Sequence, residues 1–278
     1  MENKAKQEFI VRKSKIISST IITAACLIAA SVQASDLLDK NITHAPKDGV
    51  VRTYGPGGPH TAFIKAAKAF REETGKKVSV FFGPESKWTN DAQQNADIIF
   101  GSSEQSMTAF LENYTFVDSS DVESLYIRPA VIVVQKGNPK NIKGFSDLLK
   151  PGVGVIVTEG KGVYNTSGTG VWEDVAGRRG VLTDVKKLRK NIISFEKGSG
   201  ASFRAFKSLH ADAWITWVHW PLDHSDVVDY VQLEPERQIF RVTNVVVAPN
   251  ADSEALEFIS FVKSREGQKI FASEGWGK

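Results

Sequence analysis

The chain has 278 residues, 41% of them hydrophobic and 24% charged, with 35 Lys and Arg against 32 Asp and Glu and one cysteine. Residues 1–34 hold five of the basic and two of the acidic side chains, so thirty of each sign remain over the other 244 residues, a balance that gives no electrostatic reason for nucleic-acid binding. Cys26 lies within those first 34 residues, which excludes disulfides, cysteine metal sites and a cysteine nucleophile from the rest of the chain.

Lys4, Lys6, Arg12, Lys13 and Lys15 form a basic head, Ile16 to Ala30 is apolar and uncharged, and Val32-Gln33-Ala34 supplies small residues for a peptidase. This is the pattern of an export signal, with cleavage expected after Ala34. Thr23-Ala24-Ala25 before Cys26 lacks the large aliphatic residue of a lipoprotein box. The expected address is the periplasm of a double-membraned bacterium.

From residue 50, short apolar runs alternate with helical periodicity. Val50 to Tyr54, Val78 to Phe82 and Asp97 to Phe100 read as strands, and Thr61 to Thr74 and Ser106 to Tyr114 as helices, an order that implies a parallel sheet. A long apolar run at Ile127 to Gln135 enters a central block with helices near 145–149, 171–176, 184–190 and 203–209 and strands near 153–157, 192–195, 213–218 and 230–233. A second long run, Ile239 to Ala248, leads to helices at Ser253 to Lys263 and Glu266 to Ser273. Two long runs bracketing a central block predict two crossings between two α/β lobes, with 35–128 plus 241–278 in the first and 129–240 in the second.

The loops between these elements share one chemistry. Tyr54-Gly55-Pro56-Gly57-Gly58-Pro59-His60-Thr61 joins a strand to a helix, where backbone N–H groups face outward with no Cβ in the way and suit an anion. Gly83-Pro84-Glu85-Ser86, Gly101-Ser102-Ser103, Asn165-Thr166-Ser167-Gly168-Thr169-Gly170 and Gly198-Ser199-Gly200-Ala201-Ser202 follow suit. Ligands of open α/β sheets bind beyond the carboxyl ends of strands, where such loops gather, although Ser and Thr there also serve as ordinary helix caps.

Residues 54–60, Ala96-Asp97-Ile98-Ile99-Phe100-Gly101-Ser102, 165–170 and Phe258 to Gln268 carry a resemblance that spans nearly the whole chain beyond residue 34. The sequence resembles the extracytoplasmic solute-binding proteins of the molybdate- and sulfate-binding class, and among them the accessory colonization factors. The resemblance implies the two-lobe periplasmic-binding-protein fold of class II, closing on a solute held in the cleft between lobes. It also implies presentation of the closed form to an ABC transporter permease; a monomer without cofactor or metal is expected, and the lack of an HExxH spacing, a GxSxG elbow and a GxxxxGK loop speaks against an enzyme.

Gly57, Gly58, His60, Ser86, Ser102, Ser103, Thr166, Ser167, Gly168 and Thr169 are the expected donors to that solute. Arg128, at the first crossing, is expected to bind a carboxylate through paired hydrogen bonds, which favours a small organic acid or acidic amino acid over sulfate or molybdate. An ion pair between lobes is the other reading of Arg128. In Trp214-Ile215-Thr216-Trp217-Val218-His219-Trp220, Thr216 or Trp217 is expected to wall the ligand, against the alternative of core packing. His219 to Asp226 reads as surface residues of a turn, with Pro221 breaking any helix that would align His219 with Asp223 for a metal. An interaction or sensing protein with the same cleft is the remaining alternative to transport.

Overall fold

In a computed structural model, residues 38–159 and 170–277 are described. The expected export signal and the Thr166 to Thr169 donors lie outside them.

The first half of the fold is built on β1 (Val51–Gly55), α1 (His60–Thr74), β2 (Val78–Phe82), α2 (Thr89–Asn95), β3 (Ile98–Gly101) and α3 (Glu104–Asn113). Phe63, Ala66, Ala67 and Phe70 recur every three or four residues, so α1 buries one continuous face. It stops at Gly75, whose φ of 76° returns its N–H to the Arg71 carbonyl. β1 pairs in parallel with both β2 and β3, so the loops after all three strands open at one edge of the sheet. α2 was not legible in the apolar pattern, because Thr89 and Ala92 alone are buried in an otherwise polar heptapeptide.

β4 (Glu123–Gln135) connects the two halves. Its first residues, Glu123 to Pro129, pair antiparallel with β9 (Phe240–Val247), which in turn pairs with β3. Its remainder, Ala130 to Gln135, lies between β7 (Ala213–Trp217) and β8 (Val228–Gln232). Ala130 to Val134 are buried on both faces, which is why this stretch is uninterrupted aliphatic sequence. Beyond β7, β5 (Val155–Thr158) and the edge strand β6 (Ile192–Glu196) complete the sheet in parallel.

Helices α4 (Val171–Gly177), α5 (Leu182–Asn191) and α6 (Ser199–Ser208) cover the second half. α7 (His219–Asp223) corrects the sequence expectation for this stretch. Pro221 does not prevent the helix, because it sits in the first turn, where no intrahelical N–H is required of it. His219 and Pro221 are buried, not surface residues of a turn. α8 (Ser253–Lys263) and α9 (Arg265–Ser273) return to pack on α1, and the chain then crosses back to β4, where Ile127 and Gly277 exchange two backbone hydrogen bonds of 2.8 and 2.7 Å.

Apolar packing follows the same division. Two core clusters draw on residues between 51 and 126 and between 245 and 276, while two others draw on 130–239.

Candidate functional site

The loop after β1 and the loop after β3 meet at Gly58. A Cβ on Gly58 would lie 2.9 Å from Arg128 Nη1, 3.2 Å from Nη2 and 3.0 Å from Ser102 Cβ, so glycine lets this backbone approach both. Gly57 beside it faces open space. His60, at the first position of α1, donates Nδ1–H to the Gly57 carbonyl and stacks on Phe82 at 4.0 Å, which fixes the loop.

Arg128 lies at the centre. The residue is 1% exposed, and its guanidinium is enclosed by two indole rings, Trp217 and Trp276, each 4.8 Å from Cζ. Desolvated cation–π contacts of this kind contribute up to about 2 kcal/mol each. Nη1 approaches His219 Nδ1 at 2.9 Å and Nη2 donates to the Ser102 carbonyl at 3.1 Å. No carboxylate among the described residues lies within ion-pair distance of Arg128, which sets aside the interlobe salt bridge as its role there. Burial, and secondarily the positive charge of Arg241, push its pKa down to about 9. A buried charge with no carboxylate at ion-pair distance is unfavourable, which makes this a place that suits an anion.

Unspent polar atoms occur on the elements that carry these residues. Arg128 Nε, Ser102 Oγ, Thr61 Oγ1 and Trp276 Nε1 are buried without a hydrogen-bond partner. Buried donors and acceptors in native structures are nearly always paired, so these atoms are available to a polar guest. Thr61 and Trp276 were not among the residues expected at the site, and His219 was read there only as a surface residue of a turn. A hydroxyl in the first turn after Gly-Gly-Pro-His was a usable signal for Thr61, whereas Trp276 reaches Arg128 only through a tertiary bridge.

The other expected donors are distributed differently. Ser103 caps α3, its Oγ accepting from Ser106 N at 3.1 Å, while Ser106 Oγ accepts from the Ser102 and Ser103 N–H groups at 2.9 and 3.0 Å. Those backbone donors are therefore consumed within the fold, while the Ser102 hydroxyl has no partner. Ser86 is exposed on a single helical turn, apart from this cluster of contacts. Thr216 is buried in β7, and Trp217 has its indole ring against Arg128. Trp88 packs among Tyr54, Phe110 and Tyr114 in the core.

At the rim, Arg241 Nη2 donates to Asp174 of α4 at 2.8 Å, and Arg241 Nε lies 3.9 Å from Glu104 at the start of α3. Among the described residues, no group of three or more His, Cys, Asp or Glu side chains is placed to hold a metal.

The model of the family described as bacterial extracellular solute-binding protein matches residues 51–277. PEB3 of Campylobacter jejuni, in its L-phospholactate-bound crystal structure, is 41% identical, with a TM-score of 0.77 over 82% of this chain and 99% of that one. The sulfate-binding protein of Salmonella typhimurium is 29% identical over 175 residues, 55% of this chain and 51% of that protein, so this chain spans about half of that relative. The molybdate-binding protein ModA of Mycobacterium tuberculosis H37Rv is 23% identical over 94% of this chain and 97% of its own. The mixed α/β architecture is that of periplasmic binding proteins. A family match across nearly all the described residues, together with a structural relative of this identity, shows that the chain belongs to the bacterial extracellular solute-binding proteins.

Proposed function

We propose that this protein captures a small organic anion in a cleft between two lobes and delivers it, in the periplasm, to an ABC transporter permease. One observation carries the reading: Arg128 is buried, charged and without a carboxylate partner among the described residues, beside orphaned donors from loops of the first half. The guanidinium offers five N–H groups and spends two on the protein, which leaves an in-plane edge for an oxygen pair. L-phospholactate, the compound bound to PEB3, carries both a carboxylate and a phosphoryl group. We assign the same class, a small phosphorylated or dicarboxylic acid, to this site.

In this reading Arg128 and Ser102 hold one anionic group, and Gly57, Gly58, His60 and Thr61 line the approach. Thr166, Ser167, Gly168 and Thr169 are proposed as donors from the second lobe. The lobe limits are 35–128 plus 241–278 and 129–240, and the division of the core clusters near 128 and 241 supports them. A ligand that touches both lobes stabilises the closed form more than the open one, which is how occupancy becomes a signal to a partner. We further propose export by cleavage after Ala34, a monomeric state, no enzymatic activity, and a place beside the accessory colonization factor AcfC.

A second reading, a tetrahedral oxyanion, rests on the sulfate- and molybdate-binding relatives. A thermal-shift screen of the purified protein against L-phospholactate, dicarboxylates, acidic amino acids, sulfate and molybdate tests both. A rise in melting temperature with a carboxylate-bearing compound alone supports the first, since a ligand of the folded state raises it. A rise with sulfate or molybdate alone moves the assignment to the second, and a flat response to every compound overturns the anion site. Solute uptake in a strain lacking this protein separates transport from a sensing role.

A further inference from the structure

A buried titratable group lies directly beside Arg128. His219 is 4% exposed, and its Nδ1 faces Arg128 Nη1 at 2.9 Å. A guanidinium has only donors, so Nδ1 accepts through its lone pair and the ring is the neutral tautomer that carries its proton on Nε2. Burial first, then the charge of Arg128, then His60 and His224, hold its pKa well below the ordinary histidine value. Around it stand Arg128 from β4, His60 from the start of α1 and His224 from the end of α7. Of the carboxylates of this region, Asp223 interacts electrostatically with Glu274, His60 and His224, and Glu274 is paired with Lys65.

Trp276 completes the arrangement. Its ring lies 4.8 Å from Arg128 Cζ and stacks near His219, with centroids 6.5 Å apart and planes 21° from parallel. The Ile127–Gly277 bridge fixes the following residue to β4. Gly275 precedes it with φ at 80°, where a Cβ would fall 2.7 Å from Val218 and 2.8 Å from Leu222, so the tail reaches α7 only with glycine here.

Resting on the proposed anion site, we infer that His219 and Trp276 are positioning residues for solute capture: the neutral imidazole accepts from Nη1 while the indole covers one guanidinium face, so that Nε–H and the remaining Nη hydrogens present one fixed edge to the solute. A protonated His219 would turn acceptor into donor and set two cations side by side. Leaving the Nη1 hydrogen unpaired would let the fork rotate between its partners.

The test combines a spectrum with three variants. ¹⁵N NMR of the histidine rings of the full chain, without ligand, should show His219 as the Nε2–H tautomer from about pH 5.5 to about pH 8, and an imidazolium or Nδ1–H signal near pH 6 overturns the assignment. His219→Asn keeps an acceptor where Nδ1 stood, and L-phospholactate affinity by calorimetry should stay within about threefold of wild type, whereas His219→Leu should lose about 30-fold. Trp276→Phe keeps a ring and should lie between them. Equal binding by His219→Leu and wild type overturns the proposal, as does a loss in His219→Asn as large as in His219→Leu. If His219→Leu does not fold, the Asn variant and the spectrum still decide. If wild type binds no L-phospholactate, the assigned solute class fails, and the tautomer spectrum alone then judges the His219 contact.

Discussion

Arg128 and Arg241 stand directly opposite each other where β4 and β9 pair. Opposed residues of an antiparallel pair project from the same face, so the two crossing strands bring two like charges together at one level of the sheet. Their environments differ. Arg241 is one-third exposed and is neutralised by Asp174 and, more distantly, Glu104, whereas Arg128 is buried with two indoles, a neutral imidazole and a carbonyl. The outer member has counter-ions at close range, whereas the inner member has no carboxylate within ion-pair distance among the described residues.

That asymmetry gives Arg128→Met a signature that a structural arginine would not have. Removing a buried, unpaired cation relieves its desolvation, and hydrophobic replacements of buried charges are often neutral or stabilising. The ligand-free melting temperature should therefore hold or rise. Affinity for a carboxylate-bearing solute should fall by about 1.5 to 3 kcal/mol, the worth of a charged hydrogen bond, as read by calorimetry. A variant that melts several degrees lower yet binds normally would show Arg128 to be a structural staple.

Gly57 and Gly58 separate chain flexibility from close approach. Gly58→Ala places a Cβ 2.9 Å from Arg128 Nη1 and 3.0 Å from Ser102 Cβ, while the same change at Gly57 meets nothing within 4 Å. Overpacking of this kind costs about 1 to 3 kcal/mol. Gly58→Ala should weaken both stability and binding, and Gly57→Ala should leave stability within about 0.5 kcal/mol. Equal losses in urea melts of the two variants would mean that loop entropy, not contact with the guanidinium, sets their importance.

How far the sequence carried this picture depends on the range of the interaction. The α1 face, β2, and the two long runs at β4 and β9 were legible because apolar spacing is local. The nearness of the Gly57-Gly58 and Ser102 loops followed from strand order alone. Ser103 is ambiguous in sequence, since Ser, Thr and Asn before a helix serve equally as cap and as ligand donor, and its capping role shows only through Ser106 at the third helical position. Trp276 and His219 were hidden for different reasons. The first meets Arg128 only because Gly277 bridges to Ile127 across half the chain, and the second was obscured by Pro221, which reads as a breaker unless its place within the helix is known.

Arg241, Asp174 and Glu104 form a link between β9, α4 and α3 at the rim of the site. Both carboxylates are half exposed or more, and pairs of that kind contribute about 0 to 1 kcal/mol. Asp174→Asn should change solute affinity by no more than about fivefold at low salt, and the difference should disappear near 0.5 M salt, where screening is short-ranged. Calorimetry at two salt concentrations measures it. A salt-independent loss of about 100-fold would make Asp174 part of the solute contact instead of a rim latch.

Acid stability depends on a buried carboxylate away from Arg128. Glu85 is 8% exposed and its Oε1 accepts from Asn113 Nδ2 at 3.0 Å. Burial raises its pKa above the ordinary glutamate value, and the Asn113 bond opposes that only in part. The folded state thus keeps the proton to a higher pH than the unfolded chain does. Its effect on stability is most favourable below the unfolded value of about 4.3 and is lost as pH rises through the folded one. Glu85→Gln keeps the acceptor and removes the titration, so its melting temperature relative to wild type should rise between about pH 4 and about pH 7. Thermal melts across that range measure it, and a difference that stays constant with pH would place the carboxylate in a solvated setting.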